Sequence, residues 1–235
     1  MKKILSIAVL LSVITSACYF NFVKGSGNVI SEERNLEKFD EISLRGTGNL
    51  ILTQGDQQKI IISTDDNIME LVRTEIRNGK LIIHTEGQIQ HYTKFDIDVT
   101  VPKLKSIGVS GSGNVIGNEE FSSKYINLSV SGSGSIDMML NTNDISTRIS
   151  GSGEISLKGN ADEIDVAISG SGNLNAKEFI CEDADISVSG SGNCRINATE
   201  NLDASVSGSG NVYYYGNPDI NTRTSGSGSV QKRSL

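Results

Sequence analysis

The sequence predicts an all-β protein: a right-handed parallel β-solenoid with coils of about 20 residues, preceded by an N-terminal β-rich part with one short helix. Three observations predict it. Ser-Gly-Ser-Gly recurs seven times at spacings of 18 to 21 residues, apolar residues stand at fixed offsets from each copy, and aromatic residues make up only 5% of the chain. A core without bulky rings must be built from Ile, Val and Leu. The motifs begin at Ser110, Ser131, Ser150, Ser169, Ser189, Ser207 and Ser225.

The start of the chain has the pattern of an export signal followed by a tether. Two lysines precede the apolar stretch 4–14, which is too short to span a membrane, and small residues follow it up to Cys18. This order is similar to a bacterial lipobox, in which the cysteine carries the lipid. We therefore predict a signal peptide over 1–17, a lipid on Cys18 and a lipid-anchored linker over 18–38. An ordinary secretory signal with an unrelated cysteine is the alternative.

The next segment, 39–105, is predicted to be a β-rich part that caps the solenoid. Asp65 or Asp66 is expected to cap a short helix, and Asn78-Gly79 predicts a hairpin turn. Strands are expected over 50–53, 59–63, 80–85 and 95–101.

The repeats over 106–235 were weighed as a flexible linker or as a recurring turn, and the flanking residues favour the turn. Apolar residues stand one, three and five positions before each motif and five after its start, as Val188 and Cys194 do around Ser189. This alternation is typical of strands, so each motif is predicted to join two strands. Its alternate glycines would accept positive φ and let coils approach closely. Weaker motifs at 24–28 and 45–49 fit the same columns.

Three further segments carry a family resemblance when they are taken with the lipobox and the repeats: RNLEKFDEISLRGTGNLILTQGD, NGKLIIHT and VTVPKLKSIGVSGSG. Over residues 29–230 the chain resembles the auto-transporter adhesin head GIN domain family, which comprises exported bacterial proteins common in Bacteroidetes. The resemblance implies a β-helix fold and an adhesin-like role. It supplies no ligand and no catalytic residue.

Composition and motifs argue against several classes of function. The net charge of -7 disfavours a nucleic-acid partner, because phosphate binding needs clustered Lys and Arg. Neither His84 nor His91 has a second His or Cys nearby, so no metal site is predicted. The glycine motifs lack the Lys-Ser/Thr of a phosphate loop, and no cofactor is predicted.

The candidate binding surface is an exposed tyrosine pair together with a column of asparagines. Tyr213 and Tyr215 are expected to face outward on either side of an inward Tyr214, where their rings would stack on a sugar or a protein. Routine strand packing is the alternative. The asparagines occupy the position after the second glycine of a motif and are Asn173, Asn193 and Asn211.

An enzyme remains the alternative to a binding protein. Parallel β-helices include enzymes that act on polysaccharides, and carboxylate pairs within about 10 Å on one sheet face would favour that reading. Acidic residues do occur in the variable turns, for which solubility is the simpler explanation. Cys181 and Cys194 are expected to be buried, with a disulfide between them as the less favoured option.

The predicted function is that of a cell-envelope lipoprotein with a non-catalytic binding, adhesion or scaffolding role. The alternatives are a carbohydrate-active enzyme and a structural spacer. The expected partners are a membrane, through the lipid on Cys18, and a protein or glycan ligand. The expected location is the outer membrane, facing the periplasm or the exterior. Weak self-association is expected through the last coil, whose apolar columns hold Thr222 and Thr224.

Overall fold

The computed structural model describes residues 22–234, so the predicted signal peptide and Cys18 lie outside the described residues. Within that range the chain forms strands with one short helix, which confirms the predicted all-β class. Consecutive coils stack as parallel strands at the predicted spacing, which confirms the solenoid. The right-handed sense of the coiling stays a prediction.

The N-terminal part contains the helix and the antiparallel strands. Its elements are β1 (Phe22–Lys24), β2 (Val29–Glu33), β3 (Glu41–Gly46), β4 (Asn49–Gln54), β5 (Lys59–Asp65), α1 (Asp66–Met69), β6 (Val72–Arg77), β7 (Lys80–Thr85), β8 (Gln88–His91) and β9 (Phe95–Val101). The strands expected around Gly55 and the long strand ending before Pro102 are therefore present. The hairpin turn is present as well, with φ of 51° at Asn78 and 75° at Gly79.

The repeat part contains strands alone. They are β10 (Ser106–Gly111), β11 (Asn114–Ser122), β12 (Tyr125–Gly132), β13 (Ser135–Asn141), β14 (Asp144–Gly151), β15 (Glu154–Gly170), β16 (Asn173–Gly190), β17 (Asn193–Gly208), β18 (Asn211–Tyr215), β19 (Asp219–Gly226) and β20 (Ser229–Lys232). Three strands are long because each runs from one glycine turn to the next. In those coils, the connection opposite the glycine turn, whose length varies between repeats, is itself part of the strand.

The glycine turns lie directly above one another. The first glycine of each turn is in register with its neighbours, and these residues are Gly46, Gly111, Gly132, Gly151, Gly170, Gly190, Gly208 and Gly226. The weaker motif at 45–49 thus belongs to the stack, as predicted. The motif at 24–28 does not, because β1 pairs with β8 in a separate sheet and β2 pairs antiparallel with β5. These two strands also show that part of the predicted linker 18–38 is strand.

The two glycines of a turn are needed for different reasons. Gly132 has φ of +121°, in the region that L side chains rarely adopt. Gly134 was expected to share that conformation and does not. It is required because a Cβ there would lie 2.3 Å from the carbonyl oxygen of Gly113 in the neighbouring coil. The amides of Ser133 and Gly134 each donate a 2.9 Å hydrogen bond to the carbonyl of Gly111, which joins successive turns.

The two ends of the stack differ. At the N-terminal end β7 and β9 lie on β3 and β4, and antiparallel strands then cover them: β6 on β7, β5 on β9 and β2 on β5. At the other end β19 pairs with β17 and β20 with β18, and no described strand covers their outer edges. Every residue of β19 is exposed, including Ile220 at 53%. We refer to this N-terminal part as the N-terminal cap, because its antiparallel strands cover one end of the stack.

The core lies inside the coils and follows the predicted columns. Val109, Val130, Ile149, Ile168, Val188 and Val206, which precede the motifs, are all buried. Large aromatic side chains occur at a few core positions, such as Phe95, Phe121 and Phe179. Each coil buries its apolar face against the coils on either side, so the stack folds as one unit.

The predicted helix is a single turn, and Asp65 does not cap it through its side chain. Asp65 is fully buried, and its carboxylate accepts hydrogen bonds from the amides of Gly27 and Thr93, both at 2.7 Å, and from the Thr93 hydroxyl at 2.9 Å. The side chain therefore ties the segment 24–28 to the loop before β9. The position of Asp65 just before the helix predicted a helix cap. Its actual partners, Thr93 and Gly27, are 28 and 38 residues away in the sequence, and a local pattern cannot reveal them.

Candidate functional site

The candidate site lies on the outward face of the last coils, on the strands that follow the glycine turns. Arg195 of β17, Tyr213 of β18 and Gln231 of β20 are in register in three consecutive coils. Neighbouring parallel strands are about 4.8 Å apart, so these side chains form one short ladder. The strand alternation that turns Val212 into the core turns Tyr213 outward.

Two guanidinium groups lie against the Tyr213 ring. The Arg195 guanidinium carbon is 5.7 Å and that of Arg233 5.0 Å from the ring centroid, within the range of cation–π contact. Arg233 is held by two hydrogen bonds, from its amide to the Tyr214 carbonyl at 2.8 Å and from Nη2 to Gln231 Oε1 at 3.0 Å. Tyr213 itself is half-buried and keeps part of its ring at the surface.

Tyr215 differs from its prediction. It was expected to be exposed like Tyr213, but it is 7% exposed, whereas Tyr214 is buried as predicted. The chain turns sharply after it, at Gly216 with φ of +89°, where a Cβ would lie 2.1 Å from the Ala198 carbonyl oxygen. Lys177 covers the ring, with Nζ 5.3 Å from the centroid. The inward–outward alternation of strand residues therefore gives the wrong exposure for Tyr215, because the chain turns at Gly216 and the ring is covered there.

The predicted asparagine column is a hydrogen-bonded ladder. Nδ2 of Asn193 donates to Oδ1 of Asn173 at 3.1 Å, Nδ2 of Asn211 donates to Oδ1 of Asn193 at 3.2 Å, and the Ser229 hydroxyl donates to Oδ1 of Asn211 at 2.7 Å. These amides therefore hold neighbouring coils together. Each Nδ2 has two hydrogens, so one N–H of Asn193 and of Asn211 remains beyond its ladder bond.

The tyrosine ladder borders a shallow cavity of about 350 Å³, lined by Arg195, Tyr213, Tyr215, Arg233 and Ser234. Its chemistry is cationic and aromatic. Within residues 22–234, no ion pair involves Lys177, Arg195 or Arg233. We refer to Lys177, Arg195, Tyr213, Tyr215 and Arg233 as the Tyr213 cluster.

The tyrosines of this cluster were predicted from the sequence, whereas its cations were not. Arg195 stands six residues after the start of its motif, the column of Tyr213 and Gln231, so the signal for it was present. Lys177 and Arg233 carried no such signal. They reach the rings because a bulge shifts the register between Ala176 and Ile180 and because the chain continues past β20.

A column of carboxylates lies on the strands that precede the glycine turns. Asp165, Asp185 and Asp203 are in register in consecutive coils and exposed. Asn221 extends the column, and its Nδ2 donates a 2.6 Å hydrogen bond to Asp203. In the sequence, these residues stand four positions before the start of a Ser-Gly-Ser-Gly motif. The column is therefore visible in the sequence, although it was not predicted. A shallow cavity of about 210 Å³ lies beside the column and includes Arg223.

The two described cysteines are free and fully buried. Burial raises the pKa of the Cys181 thiol to about 12, and burial also raises the pKa of Cys194. A thiol reacts as its thiolate, so neither group is a nucleophile at neutral pH. Cys194 fills the core column of Leu174 and Val212, as predicted.

No three His, Cys, Asp or Glu side chains within residues 22–234 are grouped as a metal site requires. No helix in the same range has the length and apolarity to cross a membrane.

The parallel β-solenoid with a surface cluster of rings and cations defines a class of β-solenoid repeat modules, and one family within that class matches this chain. The model of the "putative auto-transporter adhesin, head GIN domain" matches residues 38–218, so the chain belongs to that family, as the resemblance implied. No curated protein is significantly similar to the chain.

Solved structures of several bacterial proteins share the fold. A "putative adhesin" from Bacteroides fragilis superposes with a TM-score of 0.84 at 24% identity, covering 90% of this chain and 100% of that one. A "putative adhesin" from Parabacteroides distasonis has a TM-score of 0.75 at 28% identity, covering 91% and 100%. A "putative lipid binding protein" from the same species has a TM-score of 0.75 at 25% identity, covering 90% and 99%.

Proposed function

We propose that this protein is a non-catalytic adhesin of the cell envelope, held to a membrane by a lipid on Cys18. Membership of an adhesin family supports the role. The observation that carries it is the Tyr213 cluster, where an aromatic ring and cations without carboxylate partners share one surface. Tyrosine and arginine are the residues that most often dominate binding surfaces.

The position of the cluster fits an anchored molecule. β1 begins four residues after Cys18, a length that spans at most about 14 Å. The N-terminal cap would thus lie close to the membrane. Seven coils at about 4.8 Å each then extend on the order of 30 Å from the cap. The Tyr213 cluster belongs to the last coils and is presented on the side away from the anchor.

A carbohydrate-active enzyme is the second candidate, and the column of Asp165, Asp185 and Asp203 is the observation that favours it. Asp165, Asp185 and Asp203 stand in register in adjacent coils, whose strands are about 4.8 Å apart, and a two-carboxylate mechanism needs carboxyl groups that are close together on one face. The adhesin is preferred because a general acid needs burial to keep its proton, and these three side chains are exposed. Release of new reducing ends from a polysaccharide, abolished by Asp185→Asn, would favour the enzyme.

The anchor is tested by Cys18→Ser, with Ser16→Ala as a matched control that keeps a small residue before the cysteine. We expect the control to incorporate labelled palmitate and to sediment with membranes. The Cys18→Ser variant should incorporate none, and it should either leave the membrane fraction or persist as the uncleaved precursor. Equal labelling and equal membrane retention in the two variants would overturn the proposed anchor.

A further inference from the structure

We propose that the Tyr213 cluster binds acidic glycans, through the carboxylate or sulfate groups of their sugar units. This inference rests on the binding role proposed above and names the class of ligand. The chain carries 28 acidic and 21 basic residues. At this cluster, nevertheless, two arginines lie over the Tyr213 ring and a lysine lies over the Tyr215 ring. A cationic cluster on a molecule of net negative charge attracts an anion to that part of the surface.

The arginines are positioned to hold an anionic group. A guanidinium that lies on an aromatic ring is restrained in orientation, while its N–H edge remains available to a carboxylate or sulfate. Arg195 makes no hydrogen bond through its side chain to any residue within 22–234, and Arg233 uses a single Nη2 donor on Gln231. Both guanidiniums border the same cavity.

The neighbouring groups favour a sugar over an isolated inorganic ion. The cavity of about 350 Å³ is at the lower end of the range for small-ligand sites. Tyr213 is half-buried, and its side chain at the surface is amphipathic, with an apolar ring and a hydroxyl that suit the mixed surface of a pyranose. Asn193 and Asn211 stand two residues before Arg195 and Tyr213 on the same strands, so their remaining N–H groups face the same side.

The charge distribution also limits where an acidic polymer binds. The carboxylates of Asp165, Asp185 and Asp203 lie on the strand segments just before the glycine turns, whereas Arg195 and Tyr213 lie on the segments just after them. An acidic glycan is repelled by the first set of segments and attracted by the second. Repulsion elsewhere therefore adds specificity to attraction at the cluster.

The test measures binding of the purified full chain to polygalacturonate and dextran sulfate, with neutral dextran, poly-glutamate and inorganic sulfate as comparison probes. The variant is Arg195→Gln/Arg233→Gln. Its matched control is Arg45→Gln/Arg148→Gln, which removes two exposed arginines elsewhere on the stack. We expect an acidic polysaccharide to bind, salt to weaken it, the cluster variant to lose about tenfold or more in affinity, and the control to bind as the wild type does.

Four results would overturn the proposal. The first is that neither acidic polysaccharide binds, and the second is that neutral dextran binds as tightly as they do. The third is that the cluster variant and its control have the same affinity. The fourth is that poly-glutamate binds as tightly as the acidic polysaccharides, which would indicate an acidic protein partner. Competition by inorganic sulfate at the same sulfate concentration as the polymer would overturn the glycan class as well. Because these measurements use purified protein, their failure is distinct from failure of the Cys18 anchor, which is read from membrane fractions.

Discussion

A single buried carboxylate ties two segments of the N-terminal cap together. Asp65 has no exposed surface, and three donors from Gly27 and Thr93 surround its carboxylate. Burial by itself would raise the pKa of Asp65, but the hydrogen bonds from Thr93 and Gly27 outweigh burial and hold it below its ordinary value. Hydrogen bonds from Ser26 and Asn28 likewise lower the pKa of Asp66. The loop 25–28 is therefore fixed by charged carboxylates.

The lowered pKa of Asp65 predicts how an Asp65→Asn substitution depends on pH. A carboxylate whose pKa is lower in the folded state stabilises it above the unfolded pKa, and this stability is lost as pH falls through the folded pKa. Asp65→Asn should lower the melting temperature by several degrees at neutral pH, because an amide cannot accept all three hydrogen bonds. The difference from the wild type should shrink below about pH 4.

The measurement is thermal unfolding followed by circular dichroism from neutral to acidic pH. Asp56→Asn is the control. Asp56 is exposed between two strands, and its substitution removes the same charge as Asp65→Asn does. A constant difference between Asp65→Asn and the wild type across that pH range would contradict the role assigned to the ionised carboxylate.

Individual elements of the solenoid depend on the glycine turn. Gly172, the second glycine of its turn, has no room for a side chain, since a Cβ would lie 2.3 Å from Ile149 Cγ2 and 2.7 Å from the Gly153 carbonyl oxygen. Ser171, its neighbour in the same turn, is exposed. Serine therefore occupies the position of the turn that faces solvent, and glycine occupies the position that packs against the neighbouring coil.

Gly172→Ala should destabilise the protein by about 1–3 kcal/mol, because the added methyl forces apart two coils that are in van der Waals contact. Ser171→Ala should change the free energy of unfolding by less than about 0.5 kcal/mol. Urea unfolding of both variants measures the difference. Coincident midpoints for the two variants would show that the coils have more room than the glycine geometry implies.

The whole molecule has one covered end and one open end. Antiparallel strands finish the stack beside β9, whereas β19 offers an outer edge that pairs with no strand in the described range. Parallel stacking gives every coil a neighbour, so an open end exposes both backbone groups and apolar columns. Thr222 and Thr224, which stand in the apolar columns of the last coil, are both exposed.

We predict that this end pairs weakly with a second copy through antiparallel contact between the two β19 strands. A two-fold axis at Asn221 places Asp219 of each copy opposite Arg223 of the other, on the outward side of the strand. Arg223→Glu should shift the equilibrium towards monomer by opposing like charges. The charge-exchanged variant Asp219→Lys/Arg223→Glu should restore association.

Sedimentation velocity over a concentration series distinguishes these states. Lys59→Glu, on the capped end, is the control because it makes the same change in net charge as Arg223→Glu. A monomer at every concentration, or a failure of the charge-exchanged variant to associate, would contradict pairing through β19.

The sequence by itself determined the fold, the strands, the buried columns and the glycine turn. All of these repeat with the coil, and a repeated local pattern is visible without knowledge of contacts. Only the tertiary structure decided where non-repeating side chains meet. It buried Tyr215 under Lys177, drew Asp65 to Thr93 and brought Arg233 to Tyr213. These contacts join residues that share no column, so the shape of a corner, a bulge or a cap determines them.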